Sequence, residues 1–298
     1  MNTNTAPDLD QLFAIAGGTI TGRRHLGKGS LLVGRNNQDA HGWCSSNRLV
    51  AAVVCDGCSS GRASELGAQV GARLVLRALE RAFDVEPPAE GGTASSFAAT
   101  LEGVRRDVLD RLGVFAWELG DGALRDMLLF TVVGVVVTPA QTAVFSIGDG
   151  VYAINGDLRR IGPFPDNAPP YLAYALLDEM PVVAGSEPRV TIEECLPTDE
   201  VEALMIGTDG VLELAAAEGE PFPGREGRVG PLARLWSEER YFSNADALRR
   251  ELAVLNSQSV VFDPESEILR WSGGLLQDDT TLVVLKRRSE QGNHEASS

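Results

Sequence analysis

Apolar residues along the chain form two patterns, unbroken runs and repeats at intervals of three and four. Unbroken apolar or β-branched runs predict buried strands. We assign strands to Phe13–Thr21, Asp39–Trp43, Leu49–Val54, Met127–Thr138, Ala143–Ile147, Val151–Ile154, Leu158–Ile161, Val190–Glu194, Ala203–Gly207 and Thr280–Leu285. Repeats at three and four predict amphipathic helices. These helices are Leu66–Ala82, with Ser59 or Ser60 as its N-cap, Phe97–Leu112, running on toward Leu119, and Leu248–Leu255.

The order of these elements indicates the fold class. Strands come first, then two long helices, many strands, one helix and a last strand. Because strands and helices do not alternate regularly, a doubly wound parallel sheet is disfavoured. The pattern predicts an α+β fold in which mostly antiparallel sheets are covered by helices.

Turn-forming residues divide the middle of the chain. Asn155-Gly156 between two short strands is typical of a tight β-hairpin. Residues 162–190 are rich in proline and residues 216–230 in glycine, proline and glutamate, so both predict long loops, where we expect substrate specificity to reside. Composition shows no break and no repeat. We therefore expect a flexible segment at 1–10, a single domain at 11–288 and a disordered polar tail at 289–298.

Acidic residues follow the buried runs at three places. Asp56-Gly57, Asp149-Gly150 and Asp209-Gly210 each come after an apolar stretch, and Asp278-Asp279 precedes the last strand. Each Asp-Gly pair taken alone is also a common turn. Strand ends cluster in a sheet protein, however, and two carboxylates 4 Å apart repel by roughly 4 kcal/mol at an effective dielectric constant of about 20. We therefore expect some of these carboxylates to meet and to hold a divalent cation.

The candidate ligands are carboxylate oxygens, and this limits which metal the site can prefer and which reaction it can catalyse. Hard oxygen ligands favour Mg²⁺ or Mn²⁺ over zinc or copper. Cys55 and Cys58 form a C-x-x-C pair with no second pair, and the three histidines lack HExxH spacing, so a zinc site is disfavoured. Two such metals hold a water, lower its pKa and direct it at phosphorus. A nucleotide hydrolase with a P-loop is excluded, because G-x-x-x-x-G-K-[ST] is absent from the sequence.

Four blocks of the chain resemble the metal-dependent protein phosphatases of the 2C type, and most closely a bacterial branch of that family. They occur in the family's order between residues 37 and 285. The blocks are Asn37-Gln-Asp39-Ala, Asp56-Gly57-Cys-Ser-Ser-Gly61, Gly148-Asp149-Gly-Val-Tyr152, and Thr208-Asp209-Gly210 with the late Asp278-Asp-Thr-Thr. The resemblance implies a two-sheet β-sandwich flanked by helices, in four layers. It also implies a serine/threonine phosphatase with two Mg²⁺ or Mn²⁺ ions.

The resemblance also implies roles for individual residues. By position, Asp56 resembles the carboxylate that bridges both metals, and Gly57 would give a backbone carbonyl to one of them. Asp209 and Asp278 would complete the second metal. Asp39 would accept a hydrogen bond from metal-bound water. The position of Asp149 is linked to a third, weaker metal in some family members.

Several positions depart from the family pattern. The arginine that grips phosphate is Gly34 here, so Arg35 is our first candidate for that role, with Arg23, Arg24 and Arg62 as alternatives. The acidic residue of the first block is Gln38, and the histidine proposed as general acid is Cys58. These departures leave open an alternative function, a weakly active or inactive relative that binds phosphoproteins as a regulatory module.

The net charge of the chain limits the classes of molecule that it is expected to bind. The net charge is −16 and the isoelectric point is about 4.6, which argues against nucleic acid or anionic lipid as the main partner. No signal-like segment or membrane-length apolar run occurs, so we expect a cytoplasmic protein. Its expected partner is a phosphorylated protein, a kinase or a kinase target. The oligomeric state is not predicted. His25 and His41 are expected to be solvated and not catalytic.

Overall fold

A computed structural model describes residues 8–25, 35–85, 94–120, 122–177, 188–223, 226–263 and 268–289. The strands in these ranges are β1 (Phe13–Ile20), β2 (Asp39–Ser45), β3 (Val50–Asp56), β4 (Val132–Val137), β5 (Gln141–Ile147), β6 (Gly150–Ile154), β7 (Asp157–Ile161), β8 (Thr191–Pro197), β9 (Ala203–Gly207), β10 (Gln258–Asp263), β11 (Ile268–Gly273) and β12 (Thr280–Arg287). The helices are α1 (Leu9–Leu12), α2 (Ser64–Val85), α3 (Ala94–Leu119), α4 (Ala123–Met127), α5 (Val211–Ala216), α6 (Arg234–Ser237), α7 (Arg240–Ser243) and α8 (Ala247–Leu255).

Two five-stranded antiparallel sheets form the centre of the fold. Their strand orders are β1-β12-β9-β6-β7 and β2-β3-β4-β5-β8. Strand β3 is buried on both faces, which explains its unbroken apolar sequence. Val50, Ala52 and Val54 pack between the sheets, whereas Ala51 and Val53 pack against α2 and α3. The predicted sandwich is thus confirmed.

Helices cover the outer face of each sheet and complete the four layers. The apolar faces of α2 and α3 pack on the sheet that contains β3. Leu248, Leu252 and Leu255 of α8 pack on the sheet that contains β12, together with Val211 and Leu214 of α5. Among the described residues, no helix is long and apolar enough to cross a membrane.

Helix α2 differs from the prediction in its start and its buried face. It begins at Ser64, so neither Ser59 nor Ser60 is its N-cap. Ala68, Ala72 and Leu79 are fully or almost fully buried. Of the face predicted from Leu66, Ala78 is buried, whereas Leu66, Val70, Leu74 and Ala82 are half-buried. At Gly71 the helix has no room for a larger side chain, since a Cβ there would lie 2.3 Å from the Phe130 ring.

Other predictions hold in part. The hairpin at Asn155-Gly156 is present, with positive φ at both residues. The strand expected at Met127–Thr138 begins only at Val132, because α4 occupies its start, and the β10–β11 hairpin was not predicted.

The predicted loops and chain ends are described only in part. The loop at 162–190 contains short 3₁₀ turns at Pro165–Asn167 and Leu172–Leu176, while residues 178–187 lie outside the described ranges, as do 1–7, 26–34 and 290–298. Within the segment expected to be flexible, Leu9 begins α1 and is buried.

Candidate metal centre

The predicted acidic residues meet at one end of the sandwich. Asp56 ends β3, Asp209 follows β9, and the 278–279 pair precedes β12, whose partner strand is β9. A cavity of about 60 Å³ opens at this end. Its lining includes Gly57 and the carboxylates Asp56, Asp149, Asp209, Asp278 and Asp279. The sequence-based expectation that Asp56, Asp209 and Asp278 become neighbours is therefore met.

The carboxylates share this pocket without closing on a single point. In the described part of the chain, no three His, Cys, Asp or Glu side chains stand in an arrangement that could hold a metal ion as they are placed. A metal site here would require side-chain rotations toward a common centre.

Burial and mutual repulsion both oppose ionisation of these acids. Burial, followed by the charges of Asp39, Asp209, Asp149 and Asp278, raises the pKa of Asp56 well above its usual value. Burial and the charges of Asp149 and Asp278 raise the pKa of Asp209 to about 6. The pKa of Asp149 is also raised by burial. A divalent cation would relieve this repulsion, since it favours the charged forms.

Asp39 lies beneath the pocket and does not line it. Its register partner across the β2–β3 ladder is Asp56. The Thr208 hydroxyl donates a hydrogen bond of 2.8 Å to Asp39 Oδ2, whereas Oδ1 is buried without a partner. Burial, and then the charge of Asp279, raises the pKa of Asp39 well above its usual value. An orphaned buried acceptor next to an acidic pocket is the kind of atom that a bound water or ion satisfies.

Gly57 occupies a position that only glycine fits. A Cβ there would lie 2.7 Å from the Gln38 carbonyl oxygen and 2.9 Å from that of Ser64. Its own N–H donates to the Gln38 carbonyl at 3.1 Å. The backbone after Asp56 is thus held close to the segment that carries Asp39.

The neighbouring acids Asp278 and Asp279 have different surroundings. Asp279 is almost fully buried and accepts hydrogen bonds from the backbone N–H groups of Gly22, at 2.7 Å, and Gln38, at 2.6 Å. The Asp278 side chain is 42 % exposed, with a loose ion pair to Arg24 at 3.7 Å and one hydrogen bond, accepted by Oδ1 from the Asp279 backbone N–H at 3.0 Å. Asp278 is therefore the one of the two that has oxygen atoms available for a ligand.

Two further residues support the site and were missed in the sequence. Glu213 on α5 accepts hydrogen bonds from the backbone N–H groups of Gln277, at 2.5 Å, and Asp278, at 3.1 Å. It therefore ties the helix that follows Asp209 to the Asp278 loop. The charge of Arg160 acts on Asp149 and Asp209 and opposes the rise in their pKa values. No local motif marks either residue.

The candidate phosphate-binding arginines lie in different surroundings. The Arg35 guanidinium donates to the carbonyl of Ser59, which lines the pocket, so Arg35 lies at the rim. Arg23 donates to the Gly274 carbonyl at 2.9 Å, and Arg24 pairs with Asp278. Arg62 is exposed.

The residues of the pocket fit a divalent cation of the magnesium type. All the candidate ligands are hard oxygen donors, and Asp39 Oδ1 is an unpaired acceptor beside them. Gln38 Oε1 is likewise buried without a partner. Cys58, in contrast, places its thiol 3.1 Å from the Ser60 hydroxyl and packs with Leu129 and Tyr171.

A comparison of the sequence with protein-family models matches one family. A sequence model described as protein phosphatase 2C matches residues 21–253. No curated protein sequence matches the chain significantly.

Several solved structures are similar in fold. Serine/threonine phosphatase Stp1 from Staphylococcus aureus is 16% identical, with 96% of this chain and 99% of that chain covered and a TM-score of 0.50. The phosphatase PstP/Ppp from Mycobacterium tuberculosis is 16% identical over 93% of this chain and 100% of that chain, with a TM-score of 0.49. The PstP catalytic domain in complex with two manganese ions is 16% identical over 93% and 99%, with a TM-score of 0.44.

Proposed function

Since the chain belongs to the protein phosphatase 2C family, we propose that it hydrolyses phosphoserine and phosphothreonine in protein substrates with the help of Mg²⁺ or Mn²⁺. The observation that carries this proposal is the single pocket lined by Asp56, Asp149, Asp209, Asp278 and Asp279. Burial, and then the charges of neighbouring carboxylates, raises the pKa of Asp56 and of Asp209, which supports the proposal because a bound cation would favour their charged forms.

The residues have distinct parts in this proposal. Asp56, the Gly57 carbonyl, Asp209 and Asp278 would hold two cations, with Asp56 shared by both. Asp149 would serve a third, weaker ion. Bound there, the cations would supply positive charge for the phosphoryl group and lower the pKa of a water. Asp39 would accept a hydrogen bond from that water through its unpaired Oδ1.

In this proposal, the phosphorylated substrate would bind at the rim of the pocket, where Arg35 lies. Arg35 is near enough to contact Ser59, and a guanidinium matches the geometry of phosphate oxygens. We propose that the physiological substrate is a kinase or the target of one, and that the protein acts in the cytoplasm.

Hydrolysis of p-nitrophenyl phosphate and of a phosphoserine peptide by the purified full chain tests the proposal. We expect turnover with Mn²⁺ or Mg²⁺, none with chelator, and a loss of at least about 100-fold in Asp56→Asn and Asp209→Asn. Asp110→Asn, on the exposed side of α3, is the matched control.

Two results would contradict the proposal. One is an absence of turnover under all metal conditions, and the other is activity that survives in Asp56→Asn. Tight binding of the phosphopeptide without turnover would instead support the alternative function, a phosphoprotein-binding regulatory module.

A further inference from the structure

His25 lies in the candidate site, although its sequence context gives no sign of this. Its imidazole lines the same pocket as Asp56 and Asp278, and its side chain is only 11% exposed. The ring nitrogen Nδ1 lies 3.0 Å from Oδ1 of Asp279, whose side chain is 3% exposed. The expectation that His25 is a solvated surface residue is therefore wrong.

The backbone that carries His25 is fixed against the metal-site loop. The N–H groups of Arg23 and Arg24 donate to the carbonyls of Leu276, at 3.0 Å, and Gln277, at 2.9 Å. A Cβ at Gly22 would lie 2.2 Å from the carbonyl carbon of Asp278, so the two segments are in close contact. The position of the imidazole is consequently set by the same loop that presents Asp278.

Asp279 is itself held in place, so it can orient the ring. Its two oxygens accept hydrogen bonds from the Gly22 and Gln38 backbone N–H groups. A carboxylate fixed in this way can hold the imidazole in one orientation through Nδ1.

The second ring nitrogen of His25, Nε2, is available for proton transfer. Within the described ranges, Nε2 of His25 has no hydrogen-bond partner, and it is not among the buried unpaired atoms. An imidazole that lines the pocket, with a buried carboxylate on Nδ1 and no hydrogen-bond partner on Nε2 among the described residues, has the arrangement of a proton donor.

We propose that His25 is the general acid of the phosphatase reaction and that Asp279 is its positioning residue; this role rests on the proposed function. Water oxygen forms a bond to phosphorus as the bond from phosphorus to the serine or threonine oxygen breaks. The leaving oxygen keeps that electron pair and takes the proton from Nε2 of the imidazolium. The attacking water releases one proton to solvent, and the neutral imidazole takes up one proton from solvent, so the protein returns to its starting state.

Other acidic groups near the pocket are less suited to this step. Cys58 directs its thiol toward Ser60 and Tyr171, and it does not line the pocket. Tyr171 does line it, but burial, followed by its hydrogen bond with Cys58, raises the pKa of its hydroxyl far above the usual value. A phenol with a raised pKa gives up its proton less readily than an imidazolium.

Leaving-group dependence separates this role from a structural one. His25→Asn keeps an amide N–H that can reach Asp279 and removes Nε2. For phenyl phosphate and a phosphoserine peptide, whose leaving groups need a proton, kcat/KM should fall by about 100-fold or more. For p-nitrophenyl phosphate, whose leaving group departs as a stabilised anion, the loss should be much smaller. Asp279→Asn should show the same selectivity.

Chemical rescue of a second variant, His25→Ala, and a control variant at His41 distinguish a catalytic role of His25 from a structural one. Imidazole added to His25→Ala should restore hydrolysis of phenyl phosphate, which a purely structural role would not allow. His41→Asn, in β2 beside Trp43 and outside the pocket lining, should behave as wild type.

The outcomes distinguish the two proposals. Equal losses on both classes of substrate, or no loss, in an active protein would overturn the role of His25 alone. A wild-type protein that hydrolyses none of the substrates would overturn the proposed function and, with it, this role.

Discussion

Asp39 and Asp56 face each other as register partners across the β2–β3 ladder. Both have a raised pKa, caused first by burial, and the charge of Asp39 adds to the rise at Asp56. Two carboxylates directly opposite in a ladder are normally destabilising. The pair therefore costs stability, and a cation that binds beside it would recover that cost.

The first prediction concerns Asp56→Asn and thermal stability. In chelator, this variant should unfold at the same temperature as wild type or higher, because it removes a buried charge opposite Asp39. With Mn²⁺ at 100 times its Kd, wild type should gain about 2.7 kcal/mol in free energy of unfolding, and the variant much less. Differential scanning fluorimetry measures both. Asp110→Asn should gain as much as wild type, and an equal gain in Asp56→Asn would exclude Asp56 as a ligand.

The second prediction concerns the pH dependence of the metal-free protein. The pKa of Asp209 rises from its usual 3.8 to about 6 on folding. Between these values the folded state binds the proton more tightly than the unfolded state, so stability is greatest below pH 3.8 for this group and is lost as the pH rises through about 6. Asp209→Asn should flatten this decline in unfolding temperature measured in chelator. A decline as steep as that of wild type would contradict the prediction.

The third prediction concerns Glu213, which holds the Asp278 loop through two backbone N–H groups. Groups that position metal ligands typically contribute about 10–100-fold in metal affinity. Glu213→Ala should therefore weaken Mn²⁺ binding by about that factor in isothermal titration calorimetry. Glu218→Ala, an exposed residue just beyond the same helix, should leave the affinity unchanged. Similar affinities for both variants would count against the positioning role.

The fourth prediction compares two glycines. Gly57→Ala places a methyl group 2.7 Å from the Gln38 carbonyl oxygen, so it should lower the free energy of unfolding by about 1–3 kcal/mol and abolish activity. Gly103→Ala, within α3 where a Cβ meets nothing within 4 Å, should raise stability by up to about 1 kcal/mol. Urea denaturation gives both values, and a neutral Gly57→Ala would contradict the close approach.

The fifth prediction assigns the phosphate-binding arginine. Arg35→Ala should raise KM for a phosphopeptide about tenfold with little change in kcat, as expected when one charged hydrogen bond of about 1.5 kcal/mol is lost. Arg62→Ala serves as the comparison, since Arg62 is the exposed alternative three residues after Ser59. Steady-state kinetics decides between them. A raised KM in Arg62→Ala alone would transfer the role to that residue.

Local patterns in the sequence were enough for most of the strands and for the acids that end them. The unbroken run of β3 follows from burial on both faces, and the hairpin at Asn155-Gly156 from residues that accept positive φ. The three Asp-Gly pairs marked strand ends correctly, and their aspartates line one pocket. These features depend on a few neighbouring residues, so a short window of sequence contains them.

Contacts between segments that are far apart in the chain could not be predicted from such short windows of sequence. His25 and Asp279 are 254 residues apart, and the bonds from Gln277 and Asp278 to Glu213 depend on how α5 lies beside the loop before β12. The most buried positions of α2 also include Ala68, Ala72 and Leu79, which the spacing of apolar residues did not single out.

The sequence by itself determined which segments are strands, where their acidic ends lie and which family motifs they form, because backbone geometry sets the period of apolar residues within each element. Only the tertiary structure decided that Asp39 stands opposite Asp56, that Asp278 is open while Asp279 is enclosed, and that His25 enters the pocket. Those relationships are set by sheet register and by packing of segments far apart in the chain, which no local period encodes.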